Sequence, residues 1–163
     1  MRCDHRSVAL FACCLSIGAF AAAQSPEPMV FKPAVGTTMT HHPALPACAQ
    51  LAVQEGDPSK GSSTILMKAT AGCVIPWHFH TAKERLVIVS GTAKGEMRMK
   101  DMKPLTLKAG DYLVLPAKEI HQFTALTAVT LFNFTDTTFD IHYVDGAGKE
   151  IPPDQAVKTK KAK

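Results

Sequence analysis

At 163 residues the chain is long enough for one domain with a real core, and 46% of it is hydrophobic. Its 18 lysines and arginines against 14 acidic residues give a net charge of +4, but Arg2, Arg6 and Asp4 contribute +1 of this and Lys158, Lys160, Lys161 and Lys163 contribute +4, which leaves −1 for everything between. A near-neutral body excludes an electrostatic case for nucleic-acid binding, and only the tail is suited to touch anionic surfaces.

Residues 1–23 read as a secretory signal peptide. Arg2 and Arg6 make a basic start, 8–20 is an apolar run, and Ala21-Ala22-Ala23 offers an Ala-x-Ala cleavage site before Gln24. The run is shorter than the roughly 20 apolar residues a bilayer span needs, so no stable membrane anchor is expected. A lipoprotein processed at Cys13 is the alternative, and too little apolar sequence precedes that cysteine. A secreted or periplasmic location follows as an expectation. Cleavage would remove Cys3, Cys13 and Cys14 and leave Cys48 and Cys73. In an oxidising compartment these two can form a disulfide, or they can sit as two small buried hydrophobes. Residues 24–48 carry Pro26, Pro28, Pro33, Pro43 and Pro46 with little sustained apolar pattern, which predicts an extended arm. His41 and His42 within it read as solvent-exposed.

From Ala49 the pattern is β. Short apolar or alternating runs at 49–53 and 62–70 flank a loop at 55–61, and 86–89 is rich in β-branched residues. Runs at 94–99 and 105–108 bracket Asp101-Met102-Lys103-Pro104 as a hairpin, followed by runs at 112–115, 121–125, 129–134 and 139–144. About ten short strands at turn spacing, with no sustained helical period, predict an all-β sandwich or closed barrel over 49–151. Residues 152–163 are expected to fray into a basic tail.

Chemistry concentrates in Gly72 to Gly91. His78 and His80 are two residues apart, which on a strand sends both imidazoles to one face with Phe79 away from them. Glu84 is expected to open the next strand and fold back over the histidines as a third ligand delivered by a hairpin. His121, after the glycine-to-proline run 110–116, is the candidate fourth ligand from a second edge of the same pocket. Gly72, Gly91 and Gly110 are expected in turns that need positive φ.

Arranged in order, these residues resemble the two motifs of the cupin family. The first motif (glycine, five residues, His-x-His, three residues, Glu, six residues, glycine) is matched at Gly72, His78, His80, Glu84 and Gly91. The second is matched at Gly110, Pro116 and His121, whereas Lys118 and Ala125 stand where that motif has glycine and asparagine. The resemblance implies a cupin-type double-stranded β-helix, a jelly-roll barrel, with a divalent transition metal held by His78, His80, Glu84 and His121. It also implies a homodimer, through the family's habit of pairing barrels by arms and edge strands.

Three imidazoles and a carboxylate suit Fe, Mn, Ni, Co, Cu or Zn and leave open positions for a small molecule. Strand parity puts Leu86, Ile88, Phe123 and Ala125 inward beside them, with Pro76, Phe132 or Phe134, and Met97 or Met99 as further candidates for the wall. Arg85 should face out, and His142 is either a pocket base or a surface residue. Two function classes follow. One is an exported metal-binding cupin that binds or senses a small molecule, and the other is a metal-dependent oxygenase or isomerase.

Overall fold

The computed structural model describes residues 29–33 and 36–157. The expected signal peptide and the lysines from 158 onward lie outside the described residues. Eleven strands follow in chain order: β1 (Ala49–Gly56), β2 (Ser63–Ala69), β3 (Val74–Phe79), β4 (Glu84–Ser90), β5 (Thr92–Met97), β6 (Leu105–Lys108), β7 (Tyr112–Leu115), β8 (His121–Ala125), β9 (Val129–Thr135), β10 (His142–Val144) and β11 (Glu150–Ile151). One helical turn, α1 (Pro153–Ala156), ends the described chain.

Alternating side chains explain why these runs stack as two layers. In β9 the residues Val129, Leu131, Asn133 and Thr135 are buried while the residues between them are partly exposed, and β8 alternates in the same way. Each strand therefore has one face for a shared interior. The strands form a five-stranded sheet ordered β1-β2-β9-β4-β7 and a six-stranded sheet ordered β11-β10-β3-β8-β5-β6. All pairings are antiparallel. Between the sheets lies the core, in which Ile88, Leu131, Tyr143 and Cys73 are the largest fully buried side chains. Burying an apolar side chain of this size stabilises by roughly 1.5–3 kcal/mol. The result is the all-β jelly-roll barrel expected from the sequence.

Several local expectations are corrected. Strands β3 and β4 belong to opposite sheets, so Glu84 does not arrive by a hairpin. The chain crosses from one sheet to the other through residues 80–83, and the carboxylate meets the histidines across the interior. Residues 139–141 are not strand. The backbone carbonyl of Asp140 is taken by His80 Nδ1, and its carboxylate accepts from the Thr81 N–H (2.8 Å) and the Thr81 hydroxyl. Such contacts replace a ladder. After Ile151, residues 153–156 form α1, with Ala156 and Val157 resting on the core. The hairpin of β5 and β6 is as expected, with Thr92 opposite Lys108 and Gly95 opposite Leu105.

The end of the proline-rich segment is built into the barrel. Thr40 bridges to Leu51 of β1, Leu45 is buried, and Tyr143 donates its hydroxyl to the Ala44 carbonyl at 2.7 Å. Gly91, between β4 and β5, has φ +85, and a Cβ there would lie 2.1 Å from the Ala128 carbonyl oxygen. Only glycine fits that turn. Cys48, just before β1, is bonded to Cys73, just before β3, across 25 residues of sequence with Cα atoms 5.5 Å apart. The bond ties the two sheets at one end of the barrel.

Closing a loop of this length contributes about 3.5 kcal/mol in the chain-entropy account. Cys48→Ala with Cys73→Ala, compared with the oxidised protein by urea unfolding, is expected to lower stability by about 3 kcal/mol. Equal midpoints with equal slopes would show that the bond contributes nothing.

Candidate metal centre

The histidines converge because each strand places its imidazole inward and a backbone carbonyl fixes the ring. His78 on β3 and His121 on β8 are register partners, and His80 lies just past the end of β3. All three are buried. The ring centroids of His78 and His121 are 4.1 Å apart, those of His78 and His80 4.9 Å, and those of His80 and His121 5.3 Å. His78 Nδ1 donates to the Pro76 carbonyl at 2.6 Å, His121 Nδ1 to the Glu119 carbonyl at 2.9 Å, and His80 Nδ1 to the Asp140 carbonyl. A carbonyl oxygen only accepts, so the proton is on Nδ1 and the Nε2 lone pair of each neutral ring is left for a ligand. This is the arrangement by which outer hydrogen bonds orient metal-binding imidazoles.

Glu84 approaches from the other sheet. Its Oε1 lies 3.7 Å from His80 Nε2, and its Oε2 lies 3.4 Å from His121 Nε2 without hydrogen-bond alignment. Asn133 on β9 donates from Nδ2 to Oε1 at 2.5 Å. One ligand atom from each of His78, His80 and His121 lies within 4.8 Å of the others, so the three could hold a metal ion, and Glu84 stands beside that group without sharing its full span. Arg85 faces out, as parity requires, and is paired with Asp136. Lys83 and Arg85 therefore do not partner Glu84.

The electrostatics suit a cation. Burial holds the His78 imidazolium well below its ordinary range, with the His121 and His80 rings adding to the effect. Burial also lowers His80, against the opposing pull of Glu84. For His121 burial is outweighed by the Glu84 carboxylate, which moves its pKa up. Burial raises the Glu84 carboxyl, but the His80 and His121 imidazoles and the Asn133 amide together bring it below the ordinary value. A buried carboxylate oxygen without a hydrogen-bond donor, facing nitrogen lone pairs, fits a divalent ion.

The centre opens into a cavity of about 220 Å³. Of the expected wall residues, Leu86, Phe123 and Met97 line it, while Ile88 and Ala125 are buried outside it. Pro76, Phe132 and Phe134 are not on its wall, and Met99 is 48% exposed. His142 stays outside, half-buried between Asp140 and Glu150 (3.2 Å each), with its ring stacked on Phe79. Among the wall residues that the sequence did not point to, three bear on the site. Asn133 was hidden between two phenylalanines that look more like core. Leu45 and His42 come from the proline-rich segment, where His42, exposed as expected, accepts the Ala44 N–H at its Nδ1 (3.2 Å) at the cavity's lip.

Lys118 has φ +65, the left-handed conformation for which the second motif uses glycine, and its N–H donates to the His80 carbonyl at 2.8 Å. The turn keeps its geometry although the glycine is gone. Ala125, in place of the motif's asparagine, is fully buried.

Fold and centre together define a jelly-roll β-barrel with a candidate metal centre in its interior. The family model described as a cupin domain matches residues 65–134, a segment that holds His78, His80, Glu84, His121 and Asn133. Among solved structures the chain is similar to an RmlC-like cupin from Shewanella frigidimarina, at 15% identity and TM-score 0.55, over 66% of this chain and 89% of that one. It is also similar to KdgF from a Halomonas species, at 19% identity and TM-score 0.51, over 61% of this chain and 87% of that one. A salicylate 1,2-dioxygenase from Pseudoaminobacter salicylatoxidans, in adducts with gentisate, is similar at 16% identity and TM-score 0.50, over 58% of this chain and 29% of that one. At these identities the likeness concerns the fold. No curated protein matches the chain significantly.

Glu84→Gln keeps the side chain's size and removes its charge. Metal affinity in competitive titration is expected to fall by at least the roughly 10- to 100-fold that loss of an outer partner typically costs, with the three histidines still retaining some metal. Equal affinities for every metal tried would remove Glu84 from the site.

Proposed function

We propose that this chain is an exported cupin that holds one divalent transition metal through His78, His80, Glu84 and His121 and binds a small molecule in the adjoining cavity. The observation that carries the reading is the convergence of three buried imidazoles, each oriented through Nδ1, on a buried carboxylate at the polar end of an apolar cavity. When bound, the metal supplies a Lewis-acid site with open positions for an oxygen or nitrogen of the ligand. The protein orients the rings, excludes water with Leu86, Met97 and Phe123, and presents the carboxylate that balances the cation.

Binding or sensing is the primary reading, because the titratable side chains on the cavity wall besides the four ligands are His42, exposed at the lip, and Asp140, whose carboxylate is engaged by Thr81 and His142. An oxygenase or isomerase acting on a small molecule is the second reading, favoured by the open coordination this ligand set leaves. Turnover by metal-reconstituted protein separates the two.

Elemental analysis of untagged protein is expected to find about one divalent ion per chain, lost in His78→Ala with His121→Ala. Equal metal in both proteins would end the assignment. Export is supported by the N-terminal apolar run and by the Cys48–Cys73 bond, which suits an oxidising compartment. Self-association as a homodimer is supported by exposed Met29, Val30 and Phe31 and by exposed Tyr112 and Val114 on the edge strand β7. Protein from the native envelope is expected to have the mass of a chain beginning near Gln24 and to scatter light as a dimer. A cytoplasmic chain that retains residues 1–23, or a monomer, would contradict these parts separately.

A further inference from the structure

Gly95 stands where a core side chain is expected. It lies inside β5, whose inward positions are Ala93, Gly95 and Met97, and it is buried and lines the cavity. Glycine weakens a strand interior, and it is kept there by a backbone that needs positive φ, by a bulge, by another part of the protein lying close, or by a ligand lying close. The first three do not apply. Its φ is not positive, and its pairing is regular on both sides, opposite Leu105 on β6 and Phe123 on β8. Apart from its chain neighbours, a Cβ built there would meet a single heavy atom within 4 Å, Leu107 Cδ1 at 3.5 Å, which is ordinary contact. The residue is buried, yet the space its side chain would enter is open. That space is the cavity, so the cause left is a ligand.

The register says how far this gap is from the centre. Met97 is opposite His121 and Gly95 is opposite Phe123, so Gly95 lies one inward step, about 7 Å along the strand, from the level of the His121 imidazole. The wall around it is apolar, with Leu107 and Phe123 on its own sheet and Leu86 and Leu113 on the opposite one. We infer that Gly95 is a specificity-determining residue: its missing side chain keeps room for the apolar body, about one ring in size, of a ligand whose polar head meets the metal. The inference rests on the metal reading above and narrows its ligand class to compact molecules with one oxygen-bearing end and one apolar end. A side chain at this position would compete with that body for the same volume, while the imidazoles, carried by β3, β8 and the residue after β3, would keep their places.

Acetohydroxamate and benzohydroxamate are suitable probes, because they share a metal-binding head and differ in the body, a methyl group against a phenyl ring. In calorimetric titrations cobalt-loaded wild type is expected to bind benzohydroxamate about tenfold or more tightly than acetohydroxamate, since the ring is buried. Gly95→Val suits a strand, and when matched for cobalt content it is expected to lower that ratio by about threefold or more, through loss of benzohydroxamate affinity. Comparing the two ratios cancels the contribution of the shared head. A smaller fall in the ratio, including the case in which both compounds weaken alike, would give Gly95 a structural role alone and overturn the inference. Cobalt-loaded wild type that binds neither compound, or that shows no preference for the ring, would also overturn it and leave the metal assignment standing. Wild type that takes up no cobalt would overturn the metal reading and this inference with it. Should Gly95→Val fail to fold, Gly95→Ala decides by the same threefold criterion, because its Cβ makes only the ordinary contact with Leu107.

Discussion

The centre depends on one constraint: three buried imidazoles must each give up a proton-bearing nitrogen to a backbone carbonyl so that the other nitrogen is free. Two of these carbonyls are local, Pro76 for His78 and Glu119 for His121, each two residues before its histidine. A regular strand would spend such a carbonyl on its neighbour. In β3 the register with β8 shifts between Ile75 and His78, where Pro76 has no N–H to give the ladder. The proline and the irregularity thus release an acceptor where the site needs one. The third carbonyl, from Asp140, is brought in by a segment that is not strand because Thr81 and His80 hold it.

The second requirement is electrical. A carboxylate surrounded by Leu86, Leu115 and Phe123 is costly unless a positive charge stands beside it. Of the three imidazoles His121 feels the carboxylate most: burial lowers its pKa but Glu84 outweighs that and moves it up, while burial moves those of His78 and His80 down. One of the three imidazoles is thereby coupled to the carboxylate and the other two are kept neutral by burial. A divalent ion would supply a positive charge shared by all four groups. The arrangement is coherent in both states, with the apolar walls strengthening each interaction by keeping water out.

Much of this was legible in the sequence, and what was missed has identifiable causes. Strand runs at 112–115 and 121–125 match β7 and β8 because turn residues bound them tightly. The i, i+2 spacing of His78 and His80 fixes their shared face wherever the strand pairs, so it survives ignorance of topology. The hairpin expected for Glu84 did not survive, because strand alternation says which face a residue takes and nothing about which sheet the next strand joins. Asn133 escaped for a related reason. Phe132 and Phe134 carry the apolar signal of β9, yet the phase of the strand, set by Leu131 and Val129, turns them outward and the amide inward. Leu45 and His42 lie in a segment whose prolines suppress any periodic pattern, and their position follows from long-range ties alone.

Those ties explain why the cavity has a wall on that side. The segment before β1 is fixed at three points: the Cys48–Cys73 bond, the hydroxyl of buried Tyr143 on the Ala44 carbonyl, and the Thr40 bridge to Leu51. Tyr143 is also the register partner of His78 on the adjacent strand. The residue that anchors the segment is therefore braced against the strand that carries the first ligand, and the disulfide joins the same segment to the start of that strand. The lip formed by Leu45 and His42 and the imidazole of His78 are held by one connected set of contacts, so the placement of the wall and the orientation of the centre are not independent.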